Sequence, residues 1–543
     1  MSLFRREFLK LAGAAAFSGS ALAFAAPGAK AQAVRAAPSV GPEATFDVRR
    51  FGAVGDGKTI DTPAVNRAID AAAAAGGGVV MFTAGTYACY SIHLKSHVML
   101  YIGPGATILA ADVPHEGTRS GGYDAAESNA PWEAYQDYGH NHWRNSLIWG
   151  EGLSDIGIMG PGLIWGKGLA RGGATADLPN AESPGVGNKA ISLKNCRNVI
   201  LRDISMLAGG HFCLLATGVD NLTIDNVKMD TNRDGIDIDC CKNVHISNCS
   251  INSPWDDAIC PNSSFALGYA RVTENVTITG CYVTGDYQMG TMLDGTFKRF
   301  GPPVAGVSGP PRAGRIKCGT ESNGGFKNIT VSGCIFESCA GFALETVDGA
   351  ILEDITFTGV TMRDIVNAPF FFRLGARMRG PKDAPIGSFK RVIVSGVSCF
   401  GARADMPSLL GGLPDHPIED IKIADLYLEQ PGGGTPAMMA ARPPEHATDY
   451  PESARWGALP AASVYVRHAR NLELSHVEVA LKQPDQRPLF WLEDVAGFDS
   501  YGLKTPRSRK GPTFRLTNVR DLRVLNSRDL PDLRLATVAE RTI

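Results

Sequence analysis

Three aspartates have the residue type and the spacing to carry acid–base chemistry. Asp234 and Asp256 are 22 residues apart, and Asp257 follows directly after Asp256. Like charges held close together raise the pKa of one group, so one carboxyl stays protonated near neutral pH while the others are ionised. Hydrolysis of a glycosidic bond needs such an acid and such a base. Clustered carboxylates can equally hold Ca²⁺, and a lone aspartate at a chain corner usually only caps a turn.

Two cations and one histidine are further candidates for the same site. Arg315 and Lys317 flank Ile316, so in a strand both side chains project to one side. Arginine binds a carboxylate through two parallel hydrogen bonds, and the pair therefore suits an anionic sugar. His211 precedes Asp234 by 23 residues, which predicts either a ligand contact in the same cleft or a packed side chain in the core, with equal weight.

A repeated phrase predicts the elements that position these side chains. The phrase is an Asn followed by alternating apolar residues, and its best copies begin at Asn198, Asn221, Asn243, Asn275 and Asn328. Alternation indicates strands, and a period near 22 residues predicts a single parallel β-helix. The copies are rich in Val, Ile, Thr and Asn, which argues against a leucine-rich repeat. Residues one period apart should stack about 4.8 Å from each other, with the Asn side chains forming a ladder.

The ends and interruptions of the repeat are also predicted. Asp61-Thr62-Pro63 precedes an Ala-rich stretch that ends at Gly76, which predicts a short N-terminal helix over the open end of the solenoid, with Asp61 as its N-cap. A Pro/Gly-rich tract at 431–460 interrupts the repeat as a loop insertion. We expect it either to form a wall of the binding cleft or to be a variable surface loop. Residues 46–543 are otherwise predicted to form one β-helix domain.

The N-terminus is typical of an export signal. Arg5-Arg6 precedes an apolar, Ala-rich run, and small residues follow at 29–31. This pattern predicts a twin-arginine signal peptide over residues 1–31 and a periplasmic or secreted protein, with no membrane contact after cleavage. The twelve cysteines all follow it. Their recurrence in the repeats at Cys196, Cys249, Cys281 and Cys334 predicts buried core residues rather than metal ligands.

Composition limits the classes of partner. Lys plus Arg is 53 and Asp plus Glu is 55, a net charge of −2. This charge balance does not favour binding to a nucleic acid or to an anionic membrane. With 44% hydrophobic and 20% charged residues, disordered and membrane-spanning classes are both disfavoured. The 62 glycines among 543 residues indicate many tight turns. We predict a monomer without a cofactor or a bound metal.

Four motifs resemble those of glycoside hydrolase family 28, the polygalacturonase family of right-handed parallel β-helix pectinases. The resemblance covers about residues 46–480. It rests on the opening motif Phe51-Gly52-Ala53-Val54-Gly55-Asp56-Gly57 before the helix, on Asn232-Arg233-Asp234-Gly235 with Arg for the family's Thr, on Asp256-Asp257, and on Arg315-Ile316-Lys317.

The resemblance implies a right-handed β-helix that hydrolyses α-glycosidic bonds of galacturonan or rhamnogalacturonan with inversion. It further implies that Asp256 is the general acid and that Asp234 and Asp257 hold the attacking water. Arg315 and Lys317 would bind a uronate of the polysaccharide. The family's Gly-His-Gly motif is absent, and Asp286 stands where its His would be, so Asp286 is predicted to contact substrate instead.

Two other functions fit the same pattern. One is a β-eliminating polysaccharide lyase, which would use Arg or Lys as its base together with Ca²⁺. The other is a β-helix that binds carbohydrate without catalysis.

Overall fold

The fold is known from a computed structural model, which describes residues 44–112, 122–171, 180–302, 309–403, 406–506 and 509–543. These residues belong to one compact unit. The predicted signal peptide, residues 1–31, lies outside the described residues. Among the helices in the described ranges, none has the length and apolar composition needed to cross a bilayer.

Short strands make up most of the described chain. The first are β1 (Thr45–Asp47), β2 (Asp56–Ile60), β3 (Gly78–Phe82), β4 (Gly85–Cys89), β5 (Ile92–His93), β6 (Val98–Ile102), β7 (Ala106–Ala110), β8 (Ser146–Glu151), β9 (Ser154–Met159), β10 (Leu163–Trp165), β11 (Lys189–Lys194) and β12 (Arg197–Arg202). The central ones are β13 (Ser205–Leu207), β14 (Phe212–Thr217), β15 (Asp220–Asp225), β16 (Lys228–Asp230), β17 (Asp234–Asp239), β18 (Lys242–Ser247), β19 (Ser250–Asn252), β20 (Ile259–Asn262), β21 (Thr273–Thr279), β22 (Tyr282–Thr284), β23 (Lys317–Cys318) and β24 (Phe326–Ser332). The last are β25 (Ile335–Glu337), β26 (Phe342–Thr346), β27 (Ile351–Thr358), β28 (Thr361–Arg363), β29 (Phe370–Leu374), β30 (Ser388–Phe400), β31 (Ser408–Gly411), β32 (Ile418–Gln430), β33 (Val464–Leu481), β34 (Phe490–Tyr501), β35 (Phe514–Leu525) and β36 (Leu533–Thr542).

Each coil of the solenoid contributes strands to three parallel faces. One face contains β9, β12, β15, β18 and β21, and a second contains β10, β13, β16, β19 and β22. The third, called here the site face, runs through β8, β11, β14, β17 and β20 and continues through β23, β26, β29 and β31. The predicted all-β, right-handed parallel β-helix is confirmed.

The interior is filled by side chains that stack from coil to coil. Leu214, Ile236, Ile259 and Ile316 lie in register on successive strands of the site face, and all four are fully buried. Such a stack removes apolar surface from water at every coil, which is the main stabilising contribution of a solenoid core. All twelve cysteines are buried and unpaired, as the repeat pattern predicts.

The predicted asparagine ladder is present. The amide of Asn221 donates to Asn198, that of Asn243 to Asn221, and that of Asn275 to Asn243, at 3.0–3.2 Å. The ladder continues to Asn328, whose amide donates to Asn275 at 3.0 Å. Each of these residues has φ between 53° and 58°, the left-handed region that Asn tolerates better than other side chains with a Cβ.

The predicted N-terminal helix, α1 (Thr62–Ala74), is also present. The other helices of the described residues are short: α2 (Tyr138–Asn141), α3 (Thr291–Asp294) and α4 (Pro436–Met439). Asp61 occupies the predicted N-cap position, but its side chain makes no capping bond. It accepts instead from the backbone amides of Val54 and Gly55 at 2.7 and 3.0 Å, so it fastens the preceding turn to the start of α1.

The last coils differ from the simple repeat. From β30 onward the strands other than β31 are longer, and β30 pairs with both β27 and β28. The final strand, β36, runs antiparallel to β35. This covers the edge of β35, whose exposed backbone groups would otherwise be free to pair with another chain.

Candidate active site

The three aspartates meet on the site face between β17 and β20. Asp234 begins β17, and Asp256 and Asp257 lie in the turn before β20. One carboxylate oxygen of each lies within 4.8 Å of one from each of the others. The structure therefore agrees with the prediction that aspartates one coil apart lie close together. The register differs by one residue, because Ile236 lies opposite Ile259, at a spacing of 23, and the amide of Gly235 donates to the carbonyl of Asp257.

Asp257 is held by the two predicted cations. Arg315 donates through Nε to one carboxylate oxygen at 2.9 Å, and Lys317 Nζ lies 2.6 Å from the other. Because Ile316 between them points into the core, both cations project outward as the alternation predicts. Burial alone would raise the pKa of Asp257, but Lys317 and Arg315 outweigh it, and the pKa lies below its usual value.

Asp256 has a different cation. Arg233 Nη2 lies 2.9 Å from its Oδ2, and the other amino group of Arg233 donates to the carbonyl of Arg171 at 3.1 Å. The Asp256 side chain is 29% exposed, and the neighbouring Trp255 is 44% exposed. Together they mark the mouth of the site. Arg233 replaces the Thr of the family motif, and the sequence alone assigned it no role.

Asp234 has neither a cation nor a hydrogen-bond donor on its carboxyl group among the described residues. It is buried, at 7% exposure. Burial and then the charge of Asp256 raise its pKa well above the usual value, against a smaller opposing effect of Arg233. The site therefore contains one carboxyl that favours its protonated form next to one, Asp257, that favours its ionised form.

The floor of the cleft beyond Lys317 carries further titratable groups. Burial raises the pKa of Asp237 and of Glu345 to about 7 each. His140 Nε2 lies 3.9 Å from Glu321. Burial alone would raise the pKa of Glu321, but His140 and two arginines lower it to about 2. Glu321 and Glu345 are acidic residues close to glycines in the sequence, but no motif assigned a role to them or to His140.

The 431–460 tract forms one wall of the cleft. Thr320 donates to the hydroxyl of Tyr450 at 2.9 Å, and Glu452 accepts from Arg315 at 3.3 Å and from Asn367 at 2.8 Å. Trp456 and Leu459 continue over the later coils, where they pack with a layer of site-face residues: Ala343, Phe371, Leu409, Tyr465 and Trp491. Of the two predictions for this tract, the structure favours the cleft wall.

Residues 122–145 form the opposite wall. Trp143 packs with Phe212 and Leu215 of β14, and its ring nitrogen donates to Thr217 at 3.0 Å. Arg379, from the loop after β29, reaches across to this wall. It lies 2.5 Å from Glu321 and 3.3 Å from Asp137. Arg379 thus ties this wall to Glu321 and to the loop after β29.

The two remaining predicted residues, His211 and Asp286, are both buried. His211 is 7% exposed, stacks on Phe212 with ring centroids 4.4 Å apart, and lies 6.5 Å from the ring of His140. Asp286 is 3% exposed, and its carboxylate pairs with Arg299 at 3.1 Å and with Arg312 at 2.8 Å.

The ion pair of Asp286 with Arg312 affects the turn that carries Asp256. Arg312 belongs to the segment that ends at Gly314, whose amide donates to the carbonyl of Asp256 at 2.8 Å. The Asp286 carboxylate therefore supports the segment 312–314, whose backbone contacts Asp256 directly before Arg315. The substrate contact predicted for Asp286 stays a prediction.

The carboxylate cluster also has the spacing of a cation site. Two of its three members are already neutralised by Arg233, Arg315 and Lys317. A divalent cation gains its binding energy from uncompensated negative charge. The arrangement therefore suits an anionic ligand better than a metal ion.

Comparisons with known proteins agree with this site. Residues 126–287, which include all three aspartates, match the family model described as glycosyl hydrolases family 28. Residues 45–120 match the model described as rhamnogalacturonase A/epimerase, pectate lyase-like. The first match confirms the resemblance found in the motifs.

Similar structures support the fold. An exopolygalacturonase of Thermotoga maritima is 15% identical, with a TM-score of 0.58 over 92% of this chain and 96% of that one. A family 28 exopolygalacturonase of Yersinia enterocolitica is 17% identical, with a TM-score of 0.55 over 84% of this chain and 78% of that one. At these identities the likeness concerns the fold alone.

Among curated proteins, short segments match mannuronan C5-epimerases of Azotobacter vinelandii. AlgE1 is 57% identical over 44 residues, and AlgE2 is 40% identical over 74 residues. These matches span 8% and 12% of this chain, and only 3% and 7% of the two epimerases.

Proposed function

We propose that the chain is a glycoside hydrolase of the family 28 type, and that it hydrolyses α-linked pectic polysaccharide from a chain end, with inversion. The observation that carries this proposal is the set of three carboxylates within 4.8 Å of one another beside Arg315 and Lys317. Its N-terminal sequence supports action in the periplasm or outside the cell.

The charges of the site support a uronate as the sugar bound there. Arg315 and Lys317 are 5% exposed each, so a small part of each remains accessible from the cleft while it is paired with Asp257. An incoming sugar carboxylate would gain charge-assisted hydrogen bonds from the same two cations. The protein as a whole has a net charge of −2, so attraction of an anionic polymer must come from these local groups.

The walls support attack at a chain end. The 431–460 tract covers the site face from β26 onward, and residues 122–145 cover it at β14. A polysaccharide threaded along the face would meet one wall or the other. The exposed mouth at Trp255 and Asp256 admits a chain end into a pocket. The two similar structures named above are both exopolygalacturonases.

Hydrolysis is favoured over elimination by the state of the two cations. A lyase needs a neutral Arg or Lys to abstract a proton. Burial alone would lower the pKa of Arg315 and of Lys317, but Asp257 and other acidic groups outweigh it and raise both pKa values well above their usual range. Both groups therefore stay charged at neutral pH, which suits binding and not proton abstraction.

Product analysis on homogalacturonan, rhamnogalacturonan and xylogalacturonan, run side by side, tests the substrate and the mode of attack. We expect reducing ends to appear on at least one polymer as short products, while the viscosity of the polymer falls slowly. Ultraviolet absorbance of unsaturated ends, rising with each bond cut, would show a lyase. Early loss of viscosity would show attack within the chain. No release from any polymer would favour a binding protein.

The stereochemical outcome needs a direct measurement. Inverting pairs of carboxyls usually lie about 6.5–9.5 Å apart, and retaining pairs about 5 Å apart, whereas the oxygens here lie within 4.8 Å. At this shorter separation, inversion requires that two neighbouring carboxylates hold the attacking water together. Proton NMR of the first products from an α-linked oligosaccharide should show the β-anomer. Early α-anomer would indicate retention.

A further inference from the structure

We propose that Glu452 is an internal competitor of the substrate: its carboxylate binds Arg315 when no sugar is present, and the carboxylate of a uronate replaces it there. Glu452 binds Arg315 again when the acidic product leaves. This inference rests on the proposed function, in which Arg315 binds a uronate. It gives the wall formed by the 431–460 tract a part in setting the affinity for acidic sugars.

The guanidinium of Arg315 already binds two carboxylates. Its Nε donates to Oδ1 of Asp257 at 2.9 Å, and its Nη2 donates to Oε2 of Glu452 at 3.3 Å. A third carboxylate, that of Glu345, lies 4.0 Å from Nη2, which is beyond hydrogen-bond distance. An anionic sugar that approaches Arg315 therefore meets a donor that the protein itself occupies.

The contact with Glu452 is the one that an anion can replace most easily. The Asp257 side chain is 3% exposed and is bound by both Arg315 and Lys317. Its separation from them would leave an uncompensated buried charge. Glu345 is fully buried on β26 and makes no hydrogen bond to Arg315. The Glu452 side chain, in contrast, is 30% exposed.

Glu452 can release Arg315 and still keep other partners. Its Oε1 accepts from Asn367 at 2.8 Å and from Ser453 at 3.1 Å, while Oε2 accepts from Arg315. Loss of the Arg315 contact therefore leaves one oxygen hydrogen-bonded and the other able to bind water. Because Glu452 lies in an irregular segment and not in a strand, the β-helix does not fix its position.

The two occupants of Arg315 exclude each other because they carry the same charge. Burial alone would raise the pKa of Glu452, but Arg315 and Asn367 outweigh it, and the pKa lies below its usual value. Glu452 is therefore an anion at neutral pH, as a uronate is, and two carboxylates at one donor repel each other. Glu452 thus weakens the binding of acidic sugars. An uncharged sugar brings no carboxylate and leaves Glu452 in place.

Calorimetric titration at pH 7 with galacturonate and with its uncharged methyl ester tests this competition. Glu452→Gln removes the charge and keeps an amide oxygen that can accept from Asn367. We expect its Kd for galacturonate to fall by about 5- to 12-fold. This range lies between the most that an exposed ion pair contributes and the least that a hydrogen bond to a charged group contributes. The Kd for the methyl ester should change by less than about twofold.

Asp449→Asn is the matched control. It removes a negative charge from the same tract, but the Asp449 carboxylate binds His446 at 2.6 Å, so the Kd for galacturonate should stay unchanged. Glu452→Asp keeps the charge on a shorter side chain and should give an intermediate Kd. It also serves if Glu452→Gln does not fold.

Four results would overturn the inference. These are an unchanged or higher Kd for galacturonate in Glu452→Gln, an equal fall in the Kd for the methyl ester, an equal effect of Asp449→Asn, and no binding of galacturonate by any variant. Because the titration needs no turnover, it is separate from the test of the proposed function. Lack of hydrolysis of every pectic polymer, with the expected change in Kd, would contradict the proposed function alone.

Product inhibition gives a second measurement on the active enzyme. The inhibition constant of galacturonate should fall in Glu452→Gln by the same factor as its Kd. Hydrolysis with an unchanged inhibition constant would contradict the role of Glu452 and leave the proposed function intact.

Discussion

At the scale of single residues, three side chains of one type lie in three different electrostatic environments. Asp234, Asp256 and Asp257 differ in burial and in the cations that reach them, and not in chemistry. The difference arises from three side chains on neighbouring coils: Arg233, Arg315 and Lys317. Their arrangement supplies both an acid and a base at one pH, which identical carboxyls in water would not do.

We expect Asp257→Asn and Asp234→Asn to change stability in opposite directions at pH 7. The depressed pKa of Asp257 means that its ion pairs stabilise the fold above its unfolded pKa of about 3.9. That contribution is lost as pH falls through the still lower folded value. The raised pKa of Asp234 means that the carboxyl destabilises the fold at neutral pH, because the unfolded chain would release the proton.

Thermal unfolding between pH 2.5 and 7 checks both expectations. Asp257→Asn leaves Arg315 and Lys317 without their shared partner, a loss of about 3–5 kcal/mol for a buried pair. Its Tm should drop at pH 7, with the deficit shrinking below about pH 4. Asp234→Asn should equal or exceed the unaltered protein at pH 7. A lower Tm for Asp234→Asn would show that its carboxylate is paired in solution.

Trp255 is expected to contribute to substrate binding. Its indole is 44% exposed beside Asp256, where a sugar ring can stack on it. Loss of an aromatic contact of about 0.5–1.5 kcal/mol would raise KM of Trp255→Ala by about 2- to 12-fold with little change in kcat. Tyr501→Ala, on an exposed residue of β34, is the matched control and should leave KM unchanged. Equal KM values for both variants would remove Trp255 from the site.

At the scale of elements, the strand register decides which side chains meet. The repeat places Asp234 and Asp256 one coil apart, and the β17–β20 register places Asp257 directly opposite Asp234. Asp256, in the turn before β20, pairs with Arg233 instead. The asparagine ladder, along the adjoining face, keeps successive coils in this register.

Asn243 is the position at which to test the ladder. Its side chain donates to Asn221 and accepts from Asn275, and its φ is 56°. Asn243→Ala removes two hydrogen bonds of about 0.5–1.5 kcal/mol each and strains the left-handed backbone by about 1–2 kcal/mol. We expect a loss of about 2–5 kcal/mol in the free energy of unfolding by urea.

The companion variant Asn243→Gly separates the two causes. Glycine accepts the left-handed backbone without strain, so only the hydrogen bonds are lost and the deficit should be about half as large. If both variants unfold like the unaltered protein, the ladder does not contribute to stability.

At the scale of the whole molecule, segments far apart in sequence enclose one pocket. Glu452 reaches Arg315, and Arg379 reaches Asp137. The first contact joins the 431–460 tract to a cation that binds Asp257, and the second joins the loop after β29 to the 122–145 wall. The solenoid supplies a flat face, and the insertions turn that face into a closed site.

Shortening the tract should change the mode of attack. Replacing residues 443–457 by a short Gly/Ser linker removes Tyr450, Glu452 and Trp456 from above the site face. We expect the variant to cut within long pectic chains, with a faster fall in viscosity per bond cleaved. Size analysis of early products from one polymer measures this, and Glu419→Gln, on the outer face of β32, is a control. Unchanged short products would contradict the wall's role.

The sequence by itself determined the β-helix, its N-terminal helix, the Asn ladder, the buried cysteines and the coil that brings the aspartates together. Each follows from local periodicity, and in a solenoid local periodicity is enough to place neighbouring coils. Arg315 and Lys317 were predictable for the same reason, since alternation fixes the side on which they project.

Only the tertiary structure decided how the carboxylates differ and whether the cleft is closed. Arg233 was visible only as a departure from a motif, because its pairing with Asp256 is a side-chain contact of the folded chain. His140, Tyr450 and Glu452 come from irregular segments with no period, so nothing in their spacing placed them. Burial and the distances between charges set the pKa of Asp234 and of Asp257, and both are properties of the folded chain that a sequence pattern does not contain.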